Sequence, residues 1–156
     1  MLIKEILKPE RTLHAVKANS KKRLLERIAQ QFSDTNPNLN ENELFDAFIE
    51  RERLGSTGIG EGVAIPHCRI NHCKQTMGML VLLDKGVDYD SLDSNKVDLI
   101  FALIVPEESN QEHLNTLKEI ASAFHHEGLR DALRSTSNAD ELYQIAIGQK
   151  NQQATA

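Results

Sequence analysis

Tryptophan is absent from this chain of 156 residues, and aromatics of all kinds make up 4% of it. With so few rings, stacking platforms for single-stranded nucleic acid are not expected, and the core has to be mostly aliphatic. No apolar run approaches the roughly 20 residues needed to cross a bilayer. The opening residues, Met1-Leu2-Ile3-Lys4-Glu5, carry an acid early and lack the long apolar segment of a secretory signal. Only two cysteines occur, Cys68 and Cys73, too few for a disulfide framework and consistent with a reducing cytoplasm. Positive charge is also short: the net charge of −5 argues against DNA or an anionic membrane as the main partner. What is present, 40% hydrophobic and 26% charged residues, is the composition of a soluble globular protein. The expected organisation is a single domain over residues 1–148, long enough to bury about two-thirds of its unfolded surface, with a polar tail over residues 149–156 that should fray.

Periodicity divides the chain into helices and strands. Ser20 suits an N-cap before a helix whose apolar stripe is Leu24, Leu25, Ile28 and Phe32. Residues 33–40, with Pro37, read as a loop. Asn40, followed by Glu43, opens a second helix with Leu44, Phe45, Phe48 and Ile49 on one face, stopped by Gly55. Val63-Ala64-Ile65 reads as a short strand running into Pro66-His67. Residues 77–83 and 97–105 are continuous apolar runs whose lack of alternation predicts strands covered on both faces. Ser109 to Glu112 form a capping box for a helix carrying Leu114, Leu117, Ile120, Ala121 and Phe124 and ending at Gly128. A last helix runs from about Ser137 to Gly148 with Leu142, Ile145 and Ala146 inward. This order predicts an α/β fold, a three-layer α/β/α domain with a mixed, mostly parallel sheet of about five strands.

Chemistry concentrates in residues 51–72. Gly55 to Gly62 hold four glycines in eight residues, a stretch able to bring backbone close to a ligand or another chain. Gly55, Ser56, Thr57, Gly58 and Gly60 form a candidate phosphate loop, either through free backbone N–H groups that make an anion-binding concavity or as simple turn residues. Pro66 restricts both itself and Ile65, so the backbone leading to His67 has few alternatives. A held imidazole titrates near neutral pH and offers a nitrogen nucleophile for a phosphoryl group. His113 falls in the first turn of its helix, where backbone N–H groups and the dipole favour an anion; it also aligns with Leu117 and Ile120 at the rim of the apolar face. Arg51 can reach a bound phosphate with paired donors or merely complement the C-terminus of its helix, and Arg53 would serve that second purpose equally well.

Other clusters point elsewhere. His67-Cys68 and His72-Cys73 place two imidazoles and two thiols together, but the spacing is poor for a structural zinc site, so no metal is expected. Nothing fixes the distance or acidity of the two thiols that a redox role needs. His125-His126 can act as cations at a helix C-terminus. Lys21-Lys22-Arg23 stands at the unfavourable end of its helix, as solvated charge or as a small basic patch for an acidic partner.

Gly55-Ser56-Thr57-Gly58-Ile59-Gly60 leading to Ala64-Ile65-Pro66-His67 closely resembles the active-site segment of the fructose/mannitol-type IIA proteins of bacterial phosphotransferase systems, and within them the nitrogen-regulatory branch. The likeness continues through Val97 to Pro106, through His113-Leu114 with Leu117, and through Asp140-Glu141-Leu142-Tyr143. The resemblance implies that His67 is phosphorylated by a small HPr-like carrier, itself charged by an enzyme I that uses phosphoenolpyruvate. It implies that His113 assists, that Arg51 lies beside the site, and that no metal or organic cofactor is required. Regulatory targets in this branch include potassium transport proteins and sensor kinases; a sugar-transport IIA would instead pass phosphate to a IIB domain, and a lapsed member would act only as a binding module. Two departures stand out: Cys68 where members usually have Gly after the active histidine, and Glu61 where they often have Asn. The first predicts altered docking or oxidant sensitivity, and the second predicts negative charge near an incoming phosphate.

Overall fold

The two uninterrupted apolar runs become the central strands, β5 (Met77–Val87) and β6 (Val97–Pro106), in a computed structural model that describes residues 2–108 and 111–148. They pair antiparallel, with Met79 opposite Ala102 and Val81 opposite Ile100. Successive side chains point to opposite faces of a sheet, so each strand feeds two cores. Met79, Val81, Ile100, Ala102 and Ile104 meet α2 (Lys21–Thr35) and α3 (Glu41–Arg53) through Leu25, Ile28, Phe32 and Phe48. Leu80, Leu82, Leu99, Phe101 and Leu103 meet the opposite layer of α1 (Ile3–Ile6), α4 (Gln111–Phe124), α5 (Glu127–Arg134) and α6 (Ala139–Ile147). The three layers are those expected.

The sheet has six strands, with β1 (Thr12–Val16) outside β5 and the short segments β2 (Gly58–Gly60), β3 (Val63–Ala64) and β4 (His67–Ile70) beyond β6. Of its pairings, β1 with β5, β3 with β6 and β4 with β6 are parallel, while β2 with β3 and β5 with β6 are antiparallel. The mixed, mostly parallel sheet is therefore present, with one strand more than anticipated. The extra pairing comes from short segments that cannot declare themselves by periodicity. β2 and β3 form a tight hairpin whose turn residues, Glu61 and Gly62, both have positive φ, as two-residue hairpin loops require.

Two helix starts follow the predicted caps: Ser20 and Asn40 each accept a hydrogen bond from the backbone N–H three residues on, and Asn138, one residue past the expected start, does the same for the last helix. Some ends differ. α2 runs to Thr35, into the expected loop. α4 stops at Phe124, and Gly128 lies in the first turn of α5. A cation that the sequence did not single out stands at that C-terminus: Arg130 donates to the carbonyls of Phe124 and His125. Leu114, expected inward, is 48% exposed. The Ser109-Asn110 half of the capping box and the tail from Gln149 lie outside the described residues.

Gly78 lies where a side chain would collide with its neighbour: a Cβ there would stand 2.8 Å from the Phe101 ring. The buried Arg11 donates to the Gly78 carbonyl and to the Ile6 carbonyl, pinning α1 to the sheet. Phe101 is fully buried, 5.9 Å from Phe124 between ring centres. Replacing Phe101 with Ala removes that packing and leaves a cavity; urea unfolding is expected to show a loss of about 3–5 kcal/mol.

Candidate active site

β3 and β4 follow the same side of β6 and are separated by Ile65-Pro66. Pro66 has no N–H to donate, yet its carbonyl accepts from Leu103 and keeps the chain on the sheet. His67 therefore opens a second short strand, opposite Leu103. Its Nδ1 lies 2.8 Å from the Ile65 carbonyl oxygen. A carbonyl can only accept, so in the neutral ring Nδ1 holds the proton and Nε2 keeps the lone pair. Arg51 Nε donates to that Nε2 at 3.3 Å, and Arg51 Nη1 donates to the Gly55 carbonyl at 3.0 Å. Arg53, the alternative cation, pairs outward with Glu50.

His67 and Arg51 line a cavity of about 750 Å³ between α3 and α4, and His113 lines it from the α4 side. The structure thus brings together all three residues proposed for the chemistry. His113 Nδ1 hydrogen-bonds the Thr76 hydroxyl at 3.0 Å, which orients the ring. Arg69 adds a second guanidinium that the sequence reading missed. The strand period is the available signal, since residues two apart share a face and Arg69 lies two beyond His67 in β4. Apolar side chains complete the wall, among them Leu54, Leu114 and Leu117; Leu54 is 85% exposed.

The glycine loop takes another part. Gly55, Ser56, Thr57, Gly58 and Gly60 are not among the described lining residues. Ser56 Oγ donates to the Tyr89 carbonyl and accepts from the Gly58 N–H. The Thr57 N–H and hydroxyl both go to Glu52. Gly58 packs so closely on Ser91 that any side chain would collide with its hydroxyl. At Thr57 and Gly58, the donors imagined for an anion are already engaged within the protein. Glu52, 5% exposed, also accepts from Tyr89 and from Lys21, whose ammonium lies 4.4 Å from the Tyr89 ring centre. Lys21 is therefore drawn inward and is not part of a basic surface patch.

Both departures in the motif lead away from the chemistry expected of them. Cys68 is buried, and burial, followed by nearby Cys73 and Glu43, pushes its thiol up to about 12. Thiolate is the reactive form, so burial works against oxidation of Cys68, although the residue lines the cavity beside His67. Cys73 is also buried, with its thiol donating to the Gln75 carbonyl, and His72 turns to Glu43. No group of three His, Cys, Asp or Glu side chains able to hold a metal ion occurs among the described residues. Glu61 is not among the described lining residues of the cavity; its carbonyl accepts from Arg134, and its carboxylate faces Arg130 at 3.9 Å.

Burial is the largest influence on His67 and lowers its pKa; the bond to Ile65 opposes this, and Arg51 reinforces it. The neutral, nucleophilic ring is thereby favoured at physiological pH. Because the folded pKa lies below the unfolded one, His67 contributes stability above an ordinary imidazole pKa of about 6.5 and loses it as pH falls through the lowered value. An NMR titration is expected to give His67 a midpoint below that of an ordinary imidazole, and Arg51→Gln is expected to move it upward.

Residues 5–147 match the family model described as phosphoenolpyruvate-dependent sugar phosphotransferase system, EIIA 2. The chain is 43% identical over 151 residues to the nitrogen regulatory protein of Pseudomonas aeruginosa, covering 97% of this chain and 98% of that one. It is 36% identical over 144 residues to the nitrogen regulatory protein of Escherichia coli K12, covering 92% and 88% respectively. The crystal structure of nitrogen regulatory protein IIA-Ntr from Neisseria meningitidis superposes with a TM-score of 0.85 at 36% identity, over 92% of this chain and 98% of that one. With the sequence matched almost end to end and the fold shared, the chain belongs to the EIIA 2 family of the phosphoenolpyruvate-dependent sugar phosphotransferase system.

Proposed function

We propose that this protein is a cytoplasmic phosphohistidine carrier and regulator, accepting a phosphoryl group on Nε2 of His67 from an HPr-like carrier. The observation that carries this reading is the fixed ring: Nδ1–H is committed to the Ile65 carbonyl, and Nε2 meets Arg51 at a cavity large enough for a phosphoryl group. In the transfer, the Nε2 lone pair attacks phosphorus. An N–P bond forms there while the donor's own N–P bond breaks, and its electron pair returns to the donor nitrogen. The His67 ring keeps its Nδ1 proton throughout. Arg51 Nε–H, bonded to Nε2 beforehand, is released to the incoming phosphoryl oxygens, and Arg69 and His113 add donors around the developing charge. The protein is thus a carrier that exchanges phosphate, more than a free-standing catalyst.

Exposed Leu54 and Leu114 beside the cavity suit contact with a protein donor. Phosphorylation changes the charge there by about −2, enough to alter which partner docks. The nitrogen regulatory relatives favour a signalling role over passage of phosphate to a fructose or mannitol IIB domain; potassium transport proteins or sensor kinases are the targets that the family resemblance implies.

Incubation with enzyme I, an HPr-like carrier and phosphoenolpyruvate is expected to add one acid-labile phosphate by intact mass, and none to His67→Ala. Arg51→Gln and His113→Ala should each slow transfer about 100-fold. A wild-type chain that stays unmodified with several donor carriers makes the non-phosphorylated binding module the better reading. Rapid discharge to a fructose or mannitol IIB domain moves the assignment to sugar transport.

A further inference from the structure

Glu52 lies outside the cavity, yet the two bonds that hold His67 both lead back to it. Its carboxylate accepts four hydrogen bonds: the Thr57 N–H at 3.1 Å, the Thr57 hydroxyl, the Tyr89 hydroxyl at 3.2 Å and the Lys21 ammonium at 2.9 Å. These donors come from α2, from the glycine loop and from the segment after β5, so the carboxylate joins three separate parts of the chain. Thr57 is the joint. Its carbonyl accepts from the Ile65 N–H at 3.0 Å, and Ile65 in turn accepts from His67 Nδ1. Two residues before Thr57, the Gly55 carbonyl receives Arg51 Nη1, which sets Arg51 Nε on His67 Nε2.

We infer that Glu52 is a positioning residue for phosphoryl transfer: acting through Thr57, its carboxylate aligns the hydrogen-bond partners of both nitrogens of His67. This rests on His67 being the acceptor. A carboxylate is required because all four partners donate; the amide of Gln has one oxygen, and its NH₂ faces donors. A loop that drifts by about 1 Å misplaces both the carbonyl that sets the tautomer and the cation that awaits the phosphate, a displacement able to cost about 100-fold in rate.

The test uses the full chain with Glu52→Gln, Thr57→Val and Thr57→Ser, reading ring-nitrogen chemical shifts of labelled histidine by NMR alongside the rate of phosphate uptake from the phosphorylated HPr-like carrier. Wild type should show a single Nδ1–H tautomer at His67. Glu52→Gln should show a mixture of tautomers and uptake slower by about 10- to 100-fold. Thr57→Val should follow it, and Thr57→Ser, which restores the hydroxyl, should resemble wild type. A role confined to stability lowers the melting temperature and leaves the His67 signals alone, so unchanged ring signals in folded Glu52→Gln overturn the inference whatever the rate. If that variant does not fold, Thr57→Val decides by the same signals. If wild type takes up no phosphate, the carrier reading fails, while the tautomer of the unphosphorylated protein still decides the role of Glu52.

Discussion

The hydrogen bond between His67 Nδ1 and the carbonyl of Ile65 sets the chemical character of the site. A carbonyl has no proton to give, so it dictates which ring nitrogen carries one. The consequence is geometric as well as electronic, because the nitrogen left bare is the one facing Arg51. Proline at position 66 makes this arrangement durable. It restricts the residue before it and leaves the Ile65 carbonyl next to a ring it cannot easily escape. The sheet then holds the far side, through the Leu103 N–H on the Pro66 carbonyl.

Around that bond, the protein separates stiffness from access. The central strands bury nearly every side chain on both faces, giving β6 a position from which its short parallel neighbours can be hung. The site opens beyond those strands, between α3 and α4, where burial is incomplete and leucines remain in water. Partial burial is also what depresses the His67 pKa. A deeper ring would be unreachable for a protein donor, and a fully solvated one would be protonated more readily.

The apolar runs, the helix stripes and the capping residues were legible because each is a local pattern with a single physical reading. The firm hold on the chain before His67 was legible because Ile-Pro restricts the backbone there. Residues that depend on a distant partner were not. β1 is only five residues long, with Thr12 and His14 interrupting its apolar character, and becomes a strand only beside β5. Glu52 looks like one acid among several in a charged helix end; its importance arises from Tyr89 and Lys21, far away in the chain. The glycine loop is legible by its composition, but the internal partners of Ser56 and Thr57 are not, because Tyr89 and Glu52 lie outside it. Arg69 was hidden because the strand carrying it is four residues long.

The shortness of those flanking strands has a further consequence, for solubility. A strand with a free side offers unpaired backbone groups to any other chain, and β5 and β6 are the kind of apolar sequence that would aggregate if exposed. Here they are interior, and the strands outside them make poor templates. β1 is irregular at Ala15, whose φ is +55°, and loses register with β5 there. β2 has three residues, two of them glycine. β4, which among the described residues pairs only with β6, carries the exposed, charged Arg69. The guanidinium that lines the cavity beside His67 thus also discourages a second molecule from adding a strand there.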